Sequence, residues 1–520
     1  MKTMFFRRNM VIGLIILFVG AFVVTSVARG TTIYVDDDNT SGPWDGTLLH
    51  PYQHIQEGIN NASVGDTVYV FNGTYYGGFE VNKTINLIGE NKDSTVLDAG
   101  GSYIDISSNT VNFSGFTVQN SSTYGIYVRS DSNTIVNNIV KSGSYAMIYL
   151  FFGSYCTVSG NTVMGWSNVG IKERYGSNNT IIGNFVDSCY YGISSELGAS
   201  NTLISGNTVV NCQDAGVYLD DAYNDTIIDN TFISSGGIAI DGHELADWNT
   251  HTIENNYANG KPIYYYKNDS NAVTVPSDAA QVILANCSNF TIQNLYLSEV
   301  GRAVQLGFSS YNNINGNTIA NNTEYGILLI HSSNNNITGN IITNNLWSGL
   351  RVGLSSPDTC NHNIIYHNNF INNDRNARAY NGETCTNIWD DGYPSGGNYW
   401  SDFDEPGEGA YDDNGDGIVD SAYNISGIYN QDRYPLMNPW NGTPPTPPCG
   451  NPNGDGVINS GDIVYLLNYL FVGGPPPWPA LCIGDVGGDG EVNSADIVYL
   501  INYLFIGGPV PHDDCCRLLK

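Results

Sequence analysis

The stretch NTIVNNIVKSGSYAMIYLFFGSYCTVSGNTVMGWSNVGIKERYGSNNTIIGN (residues 133–184) carries one short pattern three times, as NTIVNN (133–138), CTVSGN (156–161) and NTIIGN (179–184). NTLISGN (201–207) and DTIIDN (225–230) continue it. The closing asparagines, Asn138, Asn161, Asn184, Asn207 and Asn230, stand 23 residues apart. Gly115 in VNFSGFTV lies one step upstream, and the interval returns at Asn294, Asn317 and Asn340. A second marker, a small residue followed by apolar alternation, runs in parallel as Gly125-Ile126, Ala146-Met147, Gly170-Ile171, Gly192-Ile193, Gly216-Val217, Gly326-Ile327 and Gly349-Leu350. A fixed short period signals a repeat architecture. This one is too short for helical repeats, and β-branched residues alternating with Asn and Ser favour strands. Coils stacked at the ~4.8 Å strand spacing predict a mainly β chain, a parallel β-helix solenoid. The recurrent Asn is expected to take the left-handed backbone of a tight corner and to bond from coil to coil through its amide. Cys189 and Cys212, also 23 apart, are expected to stack as packed thiols rather than a bridge.

The 520 residues include 50 Asp and Glu against 19 Lys and Arg, a formal charge of −31. That balance repels phosphate backbones and argues against a nucleic-acid partner. A hydrophobic content of 41% is enough for a core, so the acidity does not imply disorder. At the N-terminus, Lys2, Arg7 and Arg8 precede an apolar run from Met10 to Val24 and then Ser26-Val27-Ala28, a small-x-small cleavage pattern. This predicts a secretory signal peptide over 1–28, with an uncleaved anchor helix as the alternative. No later segment is apolar enough to span a bilayer, so the expectation is an exported chain, off the membrane after cleavage and in a compartment that permits disulfides.

The repeat resembles the right-handed parallel β-helix family of pectin lyases, polygalacturonases and NosD-like periplasmic proteins. The resemblance covers roughly 31–440, within a β-helix assigned to 29–440. YQHIQEGINNASVGDTVYVFNGTYY (52–76) is similar to that family's N-terminal cap, with a helix over 52–62. NGKPIYYYKND (259–269) and VPSDAAQVILANCSNFTIQNLYL (275–297) resemble a NosD-type insertion, assigned to 257–291. GGNYWSDF (396–403), YDDNGDGIVDSAY (411–423) and DRYPLM (432–437) resemble its C-terminal cap, assigned to 381–440. These motifs specify the fold better than the activity, since such folds include lyases, hydrolases, epimerases, binders and adhesins. NosD resemblance also implies a copper-handling alternative. Copper favours clustered Met, Cys and His, and the 6 Met and 8 His are scattered along the chain.

After the Pro-rich linker at 441–448, NPNGDGVINSGDIVYLLNYLFVGGP (451–475) is repeated 34 residues later as DVGGDGEVNSADIVYLINYLFIGGP (485–509). Each half reads as a calcium loop running into a helix. The first loop offers Asn451, Asn453, Asp455, the carbonyl of Val457, Asn459 and Asp462. The second offers Asp485, Asp489, the carbonyl of Glu491, Asn493 and Asp496. Ile463, Leu466, Leu467 and Leu470, with Ile497, Leu500, Ile501 and Leu504, are expected to be buried at helical spacing. The unit, 449–516, resembles a type I dockerin, which implies bound Ca2+ and a cohesin domain on a scaffold or surface protein as partner. Ser460-Gly461 and Ser494-Ala495 occupy the positions where dockerins select their cohesin. Asn451 at the first ligand position and Gly487 at the third depart from the pattern. Cys449, Cys482, Cys515 and Cys516 flank the loops, with connectivity open. A third run, Asp412, Asn414, Asp416 and Asp420, has calcium-loop spacing but Tyr423 at the twelfth place; a solvated turn is the alternative.

On the solenoid, the fourth residue after each small-residue marker gives an outward column of Arg129, Leu150, Arg174, Glu196, Asp220 and Asp241. Glu196, Asp220 and Asp241, with Asp221 and His243 beside them, are the candidate catalytic group. Stacked carboxylates raise each other's pKa and can supply the acid and base of glycosidic cleavage, or bind calcium. Asp220-Asp221 followed by Gly242-His243 is similar to the polygalacturonase pattern, whose other motifs are not in register. Lys172, Arg174 and Arg302 are candidates for lyase chemistry. Tyr124, Tyr145, Tyr191 and Tyr325 suit either sugar stacking or packing, and Tyr264, Tyr265 and Tyr266 are expected to be exposed. The sequence thus supports a secreted protein, held at the cell surface through cohesin, that binds extracellular polysaccharide. Cleavage by a hydrolase or lyase stays open beside a non-enzymatic scaffold or adhesin.

Overall fold

The computed structural model describes residues 30–354, 358–380, 385–425, 430–443, 449–478, 480–511 and Cys515. The expected signal peptide, most of the linker and Cys516 lie outside the described residues. The chain winds into a parallel β-solenoid of about 13 turns, with small helices near the C-terminus. Ile55–Asn61 forms the short helix at the N-terminal end, covering the first coil with Ile55 and Ile59 buried.

Core-facing residues repeat through every coil. Ile126, Ile148, Ile171, Ile193, Val217 and Ile238 are Cα partners in successive parallel strands, all fully buried. This register corrects one marker: Ile148, not Met147, is the partner of Ile126. Phe151 therefore takes the outward place between Arg129 and Arg174, while Leu150 is fully buried.

The asparagine ladder is present, and the structure separates two roles the sequence merges. Asn161 Nδ2 donates to Asn184 Oδ1 at 3.0 Å, and Asn184 Nδ2 to Asn207 Oδ1 at 3.0 Å, with each backbone N–H reaching the same acceptor. The left-handed residue is the one before each ladder Asn: Asn137, Gly160, Gly183, Gly206 and Asp229. The corner needs positive φ at one position and a side chain turned into the stack at the next. For the same reason Gly115 and Asn294 are corner residues, and Phe116 and Leu295 precede Asn138 and Asn317 in the ladders. Further ladders run through Asn312, Asn335, Asn363 and Asn387, and through Asn322, Asn345 and Asn373.

Regular stacking breaks after Ile238–Asp241. The chain forms the short helix Leu245–Asn249, and Tyr257–Ala258 then pairs antiparallel with Lys261–Lys267 before parallel stacking resumes. Side chains complete the exposed edge of Ile238–Asp241. Ile238 N–H donates to Gln281 Oε1 and Ile240 N–H to Gln305 Oε1, at 3.0 and 3.1 Å. Both glutamine amides donate to Ile238 O at 2.7 Å. Gly307 lets Trp248 pack against this seam, since a Cβ there would lie 2.0 Å from the indole. Tyr264, Tyr265 and Tyr266 are partly buried against the core rather than exposed, and Tyr265 Oη donates to Trp248 O.

The repeated C-terminal unit forms helices at Ser460–Leu467 and Ser494–Ile506, N-capped by Asn459 and Asn493. Ile463, Leu466, Val486, Ile497 and Leu500 make its small core. Leu467 and Ile501, expected inside, are exposed, because two short helices bury one narrow stripe each. Cys449 and Cys515 are bridged, and Cys482 is also in a disulfide. Cys189 and Cys212 are buried free thiols.

Candidate functional site

Strand pairing sets Arg174 beside Glu196, Glu196 beside Asp220 and Asp220 beside Asp241 on the outer face of the long sheet. Each acid has a different environment. Glu196 is nearly buried and takes an ion pair from Lys172 Nζ at 2.5 Å. Asp241 accepts from Arg302 Nη1 at 2.6 Å, Arg302 Nη2 at 3.0 Å and Tyr218 Oη at 3.0 Å. Arg302 is 2% exposed, bonds Glu324 with its other edge and donates to Ile240 O at 3.1 Å. Burial pushes the Glu324 carboxyl up against the pull of Arg302.

Asp220 has no ion-pair partner among the described residues. Burial first, then the charges of Asp241, Asp221 and Glu196, raise its pKa to about 6, with Lys172 opposing. Asp220, Asp241, Gly242 and His243 line a cleft of about 210 Å3, closed from the other side of the seam by Ile330, Leu354 and Asp358. Asp358 lies 3.2 Å from His331 Nε2 and accepts from Leu354 N–H at 2.5 Å. Of the five acids and bases singled out in the sequence, Asp220, Asp241 and His243 meet in this cleft. Glu196 and Asp221 are not among its lining residues. Arg302 and Asp358 come from coils some 60 and 120 residues downstream, beyond the reach of a local motif.

Beside the acids lies a cluster of rings: Tyr124, Tyr127, Tyr145, Tyr149 and Phe151 pack on one another outside the solenoid core. Tyr191 belongs to the same cluster and stacks on Tyr218 at 4.2 Å, which carries the aromatic surface to Asp241.

In the C-terminal unit, Asp485 Oδ1 and Oδ2 accept from the N–H groups of Asp489 and Gly490, and Asp496 from those of Gly487 and Asn493. Asn451 and Asn453 both accept from Asp455 N–H. Asp462 Oδ2 accepts from Asn459 N–H, while its buried Oδ1 has no partner. An orphaned carboxylate oxygen beside further oxygen donors suits a hard cation such as calcium. Asp412 folds its loop as Asp485 does, accepting from Asp416 and Gly417 N–H at 3.0 and 2.8 Å.

A family model described as periplasmic copper-binding protein (NosD) matches residues 59–268 and 261–405. The chain belongs to the NosD family. A second, the dockerin type I domain, matches residues 452–505, so this NosD-family chain ends in a type I dockerin. No curated protein matches it. Among solved structures it is similar to the alginate lyase from Paenibacillus sp. str. FPU-7, at 14% identity and TM-score 0.30 over 60% of this chain and 94% of that one. It is also similar to the A-module of the Azotobacter vinelandii mannuronan C-5 epimerase AlgE4, at 15% identity and TM-score 0.27 over 65% and 95%. PfbA, a surface adhesin of Streptococcus pneumoniae, matches at 14% identity and TM-score 0.31 over 64% and 89%.

Among the described residues, the donors brought together do not fit copper. Among the described residues, the one group of three or more convergent His, Cys, Asp or Glu donors is Asp36, Asp37 and Asp38, an all-oxygen set. Copper prefers imidazole and sulfur. The buried ring of His251 is engaged by Asp247 O and Asp225 N–H, and His367 stacks on Trp440.

Proposed function

We propose that this chain is exported, docks through its calcium-loaded dockerin to a cohesin-bearing partner, and presents the outer face of its β-helix to extracellular polysaccharide. The observation that carries the docking half is the duplicated helix surface. Val464, Leu467, Phe471 and Val472 are exposed on the first half, and Val498, Ile501, Phe505 and Ile506 on the second, each 34 residues on. Exposed apolar patches of this kind mark partner surfaces, and the near-identity of the two fits one cohesin recognised by either face. Calcium is held by Asn451, Asn453, Asp455, Asn459 and Asp462, and by Asp485, Asp489, Asn493 and Asp496, with the Val457 and Glu491 carbonyls. Asp412, Asn414, Asp416 and Asp420 are a further calcium loop in the cap.

For the solenoid, the supporting observation is the cleft at Asp220 and Asp241 beside a continuous aromatic surface. Hydrolysis is the second reading, favoured by the contrast between the two acids. Asp220 keeps its proton to about pH 6 and serves as general acid, while Asp241, fixed in place by Arg302 and Tyr218, is its partner carboxylate. Glu196, Asp221 and His243 flank the pair. The test combines retention on insoluble polysaccharide with product release. The unsubstituted chain is expected to be retained and to release sugars, and Asp220→Asn with Asp241→Asn to be retained without release. Equal release from both removes the hydrolytic reading, and no retention removes the binding one.

A further inference from the structure

We propose that Arg174 and the rings around it form a uronate subsite, the guanidinium taking a sugar carboxylate while Phe151 and Tyr175 flank the pyranose. This rests on the polysaccharide-binding reading above and narrows its substrate class. The cations nearest to it on this face are engaged: Arg129 by Asp105 and Glu80, Lys172 by Glu196, and Arg302 by Asp241 and Glu324, while Arg351 and Arg378 stand on later coils beyond the acid cleft. Among the described residues, no carboxylate pairs with Arg174, although the chain carries a net charge of −31. Its Nη1 reaches the Tyr145 phenol at 3.5 Å, the Tyr149 phenol also bears on the guanidinium, and its enclosed Nε has no partner. Glu196, the next acid in the column, is held by Lys172.

An enclosed guanidinium N–H without an acceptor is costly, and the planar fork of arginine matches a carboxylate through two parallel hydrogen bonds. The guanidinium lies over the Tyr175 ring, 5.1 Å from its centre, and Tyr175 stacks on the exposed Phe152 at 4.8 Å. Phe151 precedes Arg174 in the same column. A single cation set among exposed ring faces suits a ligand that carries carboxylates on rings. Phosphodiester chains bring dense charge and suit a row of cations. Arg174 is two strand spacings from Asp220, about 10 Å, so a chain held at Arg174 extends into the acid cleft.

The test is calorimetric titration of the full calcium-loaded chain, carrying Asp220→Asn to suppress turnover. The probes are hexagalacturonate, an alginate hexamer and the carboxyl-reduced form of each. At least one acidic hexamer is expected to bind roughly ten-fold tighter than its reduced form. Arg174→Gln should erase that ratio, Arg174→Lys should keep part of it, and Phe151→Ala with Tyr175→Ala should weaken acidic and reduced forms alike. Failure of both acidic hexamers to bind, or an unchanged ratio in a folded Arg174→Gln chain, overturns the subsite. Reduced hexamers binding as well as acidic ones also overturn it, while leaving polysaccharide binding intact. Acid-selective binding with no cleavage by the unsubstituted chain supports the subsite and removes only the hydrolytic reading.

Discussion

Replacing Arg302 with Met tests whether one side chain ties the two stacks of the solenoid together at the site. Its guanidinium directs donors to Asp241, Glu324 and Ile240 O, and it is 2% exposed. Methionine fills much of the volume but leaves two carboxylates facing each other with no counter-ion. Breaking a buried pair from one side costs about 3–5 kcal/mol, because the remaining charge stays desolvated. Urea unfolding followed by the fluorescence of Trp248, which is buried at the seam, should show a midpoint lowered by roughly 1 M. Arg302→Met combined with Asp241→Leu and Glu324→Met should recover most of the loss, since the stranded charges go with their partner. A midpoint unchanged in the single variant would refute the claim that Arg302 holds this seam.

Three further outcomes are expected. Asn184→Ala removes donors to Val158 O and Asn207 and the acceptor of two Asn161 N–H groups, and should cost about 2–5 kcal/mol in urea unfolding, whereas Asn82→Ala, at an exposed position outside the left-handed region, should cost almost nothing. Calcium chelation should reduce helical circular dichroism and abolish cohesin binding; Asp462→Ala or Asp496→Ala alone should leave one usable face, and the two together none. Burial raises Glu173 to about pKa 7, Asp225 to about 8 and Asp432 to about 7. These folded-state values exceed the unfolded ones, so their contribution to stability is full near pH 4 and is lost as pH rises through 7 to 8. In excess calcium, the solenoid's Tm should be roughly 5 °C or more higher at pH 5 than at pH 8.

The period, the strands and the dockerin were legible because each depends on residues close in sequence. The Asn corner holds a 23-residue step from Asn138 to Asn230, since stacked amides tolerate no slack. The opposite strand does not keep it: Ile126, Ile148, Ile171, Ile193, Val217 and Ile238 are partners at intervals of 22, 23, 22, 24 and 21 residues. Turns between the two absorb the difference, which is why a regular count misplaces Met147 and Leu150 but aligns Glu196, Asp220 and Asp241. Alternation reveals which acids point outward. Closure of the cleft by Ile330, Leu354 and Asp358, and the coupling of Arg302 to Asp241, depend on how the solenoid resumes after the antiparallel turn at Tyr257–Ala258, and no local pattern encodes that.

The most direct measurement is the position of an oligouronate in crystals of the full Asp220→Asn chain. The sugar chain is expected along the outer face, with a carboxylate on Arg174, a ring against Phe151 or Tyr175, and a glycosidic bond beside residue 220 and Asp241. A sugar bound on another face of the solenoid, or crystals saturated with oligouronate that hold none, would contradict the account.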